Sequence, residues 1–70
     1  MSIEKMLAKK IRELRTKKGL SQEKLARLAD VSYNTIVKIE SGESKNPTIQ
    51  TMAGIAKALE ITLDKLMKDE

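Results

Sequence analysis

The chain contains no cysteine, histidine, tryptophan or phenylalanine, and Tyr33 is its single aromatic residue. Without cysteine there is no disulfide staple and no thiol nucleophile. Without histidine as well, the usual structural zinc clusters and acid–base pairs cannot be assembled. Glycine occurs three times and proline once, with no glycine-rich phosphate loop, and the carboxylates fall singly on charged faces instead of in cleft pairs. No apolar run approaches the roughly 20 residues of a membrane span. Near the N-terminus, Met6, Leu7 and Ala8 are fenced by Lys5 and Lys9, which argues against a signal peptide. These absences lead us to expect no metal, no cofactor, no enzymatic activity, no membrane partner and a cytoplasmic location.

What is present is a chain of 70 residues, 40% of them hydrophobic, enough for one modest core and hence one domain, 1–70. With nothing to staple it, that core must rest on packing among locally connected helices. The net charge of +4 is uneven. Residues 1–20 hold seven Lys/Arg against two Glu, residues 21–48 four against four, and residues 49–70 three against four. A basic excess suits an anionic partner, although a solubilising helix face has the same composition.

Ile3, Leu7, Ile11 and Leu14 recur at i, i+4, i+8 and i+11, which predicts a first helix over 3–18 that stops at Gly19. Ser21 caps a second helix, 22–29, with Leu25, Ala26, Leu28 and Ala29 facing inward. Asp30 tolerates the left-handed backbone of a sharp turn. Ser32 then caps a third helix, 33–40, with Ile36 and Ile39 inward and Gly42 beyond its end. Residues 41–47 read as the longest loop, because Pro47 bars helical backbone at Asn46. Thr48 caps a fourth helix whose stripe is Ile49, Met52, Ile55, Ala56 and Leu59, and Thr62-Leu63-Asp64-Lys65 reopens a fifth that frays from Lys68. Gly54, inside the fourth helix, either costs about 1 kcal/mol against Ala or serves a close contact. No strand, repeat or linker is predicted. The expected fold is all-α, a compact five-helix bundle.

Within it, residues 22–40 form two short helices joined by a tight turn, a unit able to project its second helix into a major groove. Periodicity goes no further, since the same geometry occurs in proteins that never touch DNA. The wording of the sequence goes further. Gly19-Leu20-Ser21-Gln22, the small Ala26 at the helix crossing, Ile36 and Ile39, Glu40-Ser41-Gly42 and the closing IAKALEITLDKL resemble the Cro/cI-like (Xre-type) helix-turn-helix family over about residues 14–67. Asp30 departs from the glycine many members have at the turn.

The resemblance implies a phage-repressor type of DNA-binding domain, probing operator half-sites in double-stranded DNA with its third helix and acting as a transcriptional repressor. It nominates Tyr33, Asn34 and Lys38, flanked by Thr35 and Val37, for base contacts. Asn34 suits an adenine edge, Lys38 guanine acceptors, and Thr35 or Val37 a thymine methyl. Tyr33 has two roles open, thymine methyls or sugar through its ring, and phosphate through its hydroxyl. Gln22, Ser32, Ser41, Lys45 and Asn46 are nominated for the DNA backbone, Gln22 at a position that in the family also braces the recognition helix, and Glu43 is left out because a carboxylate is unfavourable near phosphate. Arg15 and Glu40 match a structural ion pair between the first and third helices. The other basic residues of the first helix, Lys5, Lys9, Lys10, Arg12, Lys17 and Lys18, read mainly as a solubilising face.

The family also implies a homodimer on a two-fold operator with half-sites about 34 Å apart. Ile61, Leu63, Leu66 and Met67 either bury area against a second copy or close the core of one. The alternative to DNA binding is a protein-interaction module, such as an antitoxin or transcriptional adaptor, that docks an acidic partner on the first helix.

Overall fold

The computed structural model describes residues 3–44 and 47–68. Among these, the elements are α1 (Ile3–Lys17), α2 (Gln22–Ala29), α3 (Tyr33–Glu40), α4 (Ile49–Ala58) and α5 (Leu63–Met67), with no strand. The first helix ends one residue before the predicted boundary, a difference within the usual fraying of a last turn. No described helix is long and apolar enough to cross a membrane.

The helices start and stop by repeated local chemistry. Ser21, Ser32, Thr48 and Thr62 sit in extended backbone before α2, α3, α4 and α5, and each hydroxyl accepts the N–H three residues on. That satisfies one of the donors a helix start leaves without an internal partner. At the opposite ends, α1 to α4 close on a left-handed residue: Gly19, Asp30, Gly42 and Glu60, with φ of 72°, 59°, 79° and 60°. In each case its N–H bonds the carbonyl three residues back, and the next N–H bonds the carbonyl five back, the Schellman arrangement. Three of these ends run straight into a cap through one aliphatic residue, as Gly19-Leu20-Ser21, Asp30-Val31-Ser32 and Glu60-Ile61-Thr62. Leu20, Val31 and Ile61 pack against the core, so each turn is also pinned from within. Glu60 was not anticipated as a left-handed residue, since glutamate has no special tolerance for that conformation.

One apolar core joins all five helices: Leu7 and Ile11 from α1, Leu25, Ala26 and Ala29 from α2, Ile36 and Ile39 from α3, Met52, Ile55 and Ala56 from α4 with Leu59 just after it, and Leu66 from α5. Three residues expected inside are exposed. Leu28 lies about 60° round α2 from Leu25, on the side away from Ala26 and Ala29, and is 49% exposed. Ile3 and Ile49 are the first residues of their helices and are 64% and 72% exposed. Of the last apolar segment, Leu66 is fully buried and Ile61 and Leu63 pack on the core, leaving Met67 exposed. That segment therefore closes the core of one chain.

Packing also explains Gly54. It faces the main chain of Ala29 at the end of α2 with no room for a methyl group, so the close-contact reading holds. The helix-turn-helix is thus clamped against α4 at the very residue where α2 gives way to the turn. The carbonyls of Lys65 and Lys68 accept the ammonium of Lys10, which fastens the end of α5 to α1, while Asp69 and Glu70 lie outside the described residues.

Candidate nucleic-acid interface

Residues 22–40 fold as a helix, a turn closed by Asp30 and Val31, and a second helix. With eight residues, α3 is about 12 Å long, too short to persist alone, so its orientation comes from what it buries. Ile36, Ile39 and Glu40 form its buried side. The opposite arc carries Tyr33, Asn34 and Lys38, all exposed, with Thr35 and Val37 half-buried at its edges. Five nominated base-contacting residues therefore share one short helix, and three of them face outward together.

Glu40 is buried at 4% exposure and its charge is fully engaged. Arg15 donates from Nε to Oε2 at 2.6 Å and from Nη2 to Oε1 at 3.0 Å, a bidentate pair, while Gln22 donates from Nε2 to Oε1 at 3.1 Å. Bidentate guanidinium–carboxylate geometry is directional as well as strong. Arg15 also donates from Nη1 to the carbonyl of Leu20 at 2.8 Å. One carboxylate thus ties α1, the start of α2 and the end of α3. No buried side-chain nitrogen or oxygen lacks a partner among the described residues.

Gln22, expected from the resemblance to brace the recognition helix, spends part of its amide on Glu40. One feature of this cluster escaped the sequence reading: Arg12, read as a solubilising residue, donates from Nη1 to the carbonyl of Glu40 at 3.1 Å. The available signal was the i, i+3 spacing of Arg12 and Arg15, which puts both on neighbouring parts of one helix face. More broadly, Lys10, Arg12 and Arg15 of α1 and Lys18 just after it are all engaged with the rest of the bundle, Lys18 through an ion pair with the carboxylate of Glu60. Hydrogen bonding from Lys18 and its charge hold the exposed Glu60 carboxyl below its ordinary range.

The remaining nominated positions are placed as follows. Ser32 is the cap of α3, accepting the N–H of Thr35 at 3.1 Å, and its hydroxyl lies 2.7 Å from that of Thr35. Ser41 donates its hydroxyl to the carbonyl of Lys38 at 3.0 Å and accepts the N–H of Glu43 at 3.3 Å. Lys45 and Asn46 lie outside the described residues. No group of three or more acidic, cysteine or histidine side chains able to hold a metal occurs among the described residues.

A helix pair joined by a tight turn, with the outer arc of the second helix polar and its inner arc locked by an ion pair, defines a helix-turn-helix domain. The comparisons identify the family. A profile of the helix-turn-helix family (HTH_3) matches residues 11–66, and the chain belongs to that family. It is 36% identical over 67 residues to the control protein C.SmaI of Serratia marcescens, covering 96% of this chain and 79% of that protein. It is also 39% identical over 61 residues to the HTH-type transcriptional activator BcrR of Enterococcus faecalis, covering 87% of this chain but 29% of the activator. The crystal structure of the restriction-modification controller protein C.AhdI from Aeromonas hydrophila superposes with a TM-score of 0.84 at 35% identity, covering 90% of this chain and 94% of that one. The chain therefore spans less than a third of the activator and most of the two controllers.

Proposed function

We propose that this chain is a sequence-specific DNA-binding transcriptional regulator that probes an operator half-site in the major groove with α3, and that it represses where the operator overlaps a promoter. It acts by binding, without catalysis. The observation that carries the reading is the outward arc of α3, where Tyr33, Asn34 and Lys38 are exposed side by side on a helix whose inner side is fixed by Glu40. A helix presented this way fits the groove, and amide and ammonium groups match base-edge acceptors and donors. Membership of the helix-turn-helix family and likeness to a named transcriptional activator and a named control protein support it.

Base contacts fall to Asn34, Lys38 and Tyr33, with Thr35 and Val37 offering methyl groups at the edges. Backbone contacts fall to Gln22, Ser32, Ser41, Lys45 and Asn46. Gln22 has a second amide N–H beyond the one given to Glu40, so one side chain can brace α3 and meet a phosphate together. We further propose a homodimer on a two-fold operator. Ile3, Ile49 and Met67, all exposed, border an apolar groove of about 150 Å³ floored by Leu7, Ile39 and Met52. One surface that holds both protruding side chains and a recess meets the self-complementarity of a two-fold contact.

The test is selection from a randomised duplex pool followed by affinity measurement over a salt series, with Asn34→Ala and Lys38→Ala alongside the unaltered protein. Enrichment of a palindrome, with discrimination relaxed by about 1–3 kcal/mol at individual positions in each variant, is the expected result. Binding that is uniform across sequences and lost steeply with salt would instead favour the interaction-module reading.

A further inference from the structure

The last four carbonyls of a helix have no partner within it, and in α3 their disposition is complete. The carbonyl of Val37 accepts the N–H of Ser41 at 3.1 Å. That of Lys38 accepts those of Glu43 and Ser44 at 3.0 and 3.1 Å, and that of Ile39 accepts the N–H of Gly42 at 3.1 Å. The carbonyl of Glu40 accepts from a side chain of another helix, the Nη1 of Arg12 at 3.1 Å. Arg12 and Arg15 thus divide one residue between them, Arg15 taking its carboxylate and Arg12 its main chain.

The division has a mechanical consequence. A grip on the carboxylate reaches the backbone through the three side-chain torsions of Glu40, so it restrains the roll of α3 less directly than a grip on the main chain. A grip on the carbonyl has no side-chain torsion of Glu40 in between. The roll matters because side-chain tips stand about 5–6 Å from the helix axis, so a roll of about 20° moves them by about 2 Å, enough to break a base-edge hydrogen bond. Ile36 and Ile39 pack α3 into the core and Arg15 and Gln22 hold the Glu40 carboxylate; to these the Arg12 bond adds a grip on the main chain itself.

We propose that Arg12 is a positioning residue for base recognition: by holding the main-chain carbonyl of Glu40 it fixes the roll of α3, and so sets how well Tyr33, Asn34 and Lys38 discriminate between sequences. This rests on the DNA-binding function proposed above. The rival role for an exposed arginine is a direct phosphate contact, which raises affinity for every sequence alike and steepens the salt dependence. The two roles move different observables.

The experiment compares the unaltered protein with Arg12→Ala and Arg12→Lys, after circular dichroism has established equal helicity. Affinity is measured for the selected operator, for a single-base-pair variant of it and for a randomised duplex, each over a salt series, and amide exchange is followed in the DNA-free proteins. The expected result for Arg12→Ala is a loss of operator-over-variant discrimination of about 3- to 10-fold, the scale of one hydrogen bond. The salt slope stays unchanged and α3 amides exchange faster while those of α4 do not. Arg12→Lys, which keeps a donor, recovers most of the discrimination. An equal loss on all three duplexes with the salt slope reduced by about one would overturn the proposal in favour of a phosphate contact. Unchanged discrimination together with unchanged α3 exchange would also overturn it. If the unaltered protein shows no sequence preference, the DNA-binding reading is what fails. The exchange of α3 amides then decides alone whether Arg12 holds the helix.

Discussion

A methyl carbon on Gly54 would stand 2.5 Å from the carbonyl oxygen of Ala29. Helix propensity by itself favours alanine over glycine in α4 by about 1 kcal/mol, but that contact is with backbone, which cannot swing aside as a side chain would. Gly54→Ala is therefore expected to destabilise the protein, the overpacking cost of up to about 3 kcal/mol outweighing the propensity gain. Thermal melting checks the sign, and an increase in Tm would show that α2 and α4 can separate freely. Because Ala29 leads into the Asp30 turn, the same variant is expected to weaken operator discrimination.

Arg15 and Glu40 should respond asymmetrically to removal of either partner. Glu40→Ala leaves a guanidinium with 16% of its exposure, which water still reaches, whereas Arg15→Ala leaves a carboxylate at 4% exposure with Gln22 as its remaining side-chain donor. Removing one partner of a buried pair costs about 3–5 kcal/mol, so Arg15→Ala belongs within that range and Glu40→Ala below it. Urea titration of both variants measures the difference. Combining Arg15→Met with Glu40→Leu should restore much of the lost stability, because no buried charge is then left without its counter-ion.

Glu60 provides a pH dependence with a defined sign. Its carboxyl is held below its ordinary value of 4.5, first by the hydrogen bond from Lys18 and then by that ammonium's charge. A carboxylate whose pKa is depressed by folding stabilises the folded state above its unfolded pKa. That contribution fades as pH falls from about 4.5 through the folded value. Both groups meet solvent, so the effect is small and screened by salt. An NMR titration should find the Glu60 midpoint raised in Lys18→Met relative to the unaltered protein; equal midpoints would refute the pairing.

The proposed two-fold contact predicts that Ile49→Lys favours the monomer in sedimentation at micromolar concentration without lowering Tm, since Ile49 is 72% exposed in the single chain. It also predicts a loss of affinity for a palindrome while a single half-site is bound as before. A purely monomeric species both with and without operator would remove the dimer from the reading.

The positions of the helices follow from local sequence. Ser21, Ser32 and Thr48 act on amides three residues away, and Gly19, Asp30 and Gly42 act through their own backbone preferences, all of them local effects. Local sequence also placed Tyr33, Asn34 and Lys38 on one short helix, because a period of 3.6 residues puts 34 and 38 one above the other and 33 beside them. The Arg15–Glu40 pair was legible through family resemblance alone, for 25 residues separate its members and no local rule joins them.

Packing between helices settled what periodicity leaves open. It determined which apolar residues are truly inside, excluding Leu28, Ile3 and Ile49, because burial depends on where neighbouring helices end and not on a helix's own stripe. It gave Gly54 a reason in the carbonyl of Ala29 and put Glu60 into left-handed backbone. Four basic residues of α1 and the turn after it, alike in sequence with their neighbours, proved to be fasteners: Lys10 on α5, Arg12 and Arg15 on Glu40, Lys18 on Glu60. A charged side chain can be solvated, can await a ligand or can bind a distant carbonyl, and its choice is fixed only when the chain brings that carbonyl within about 3 Å.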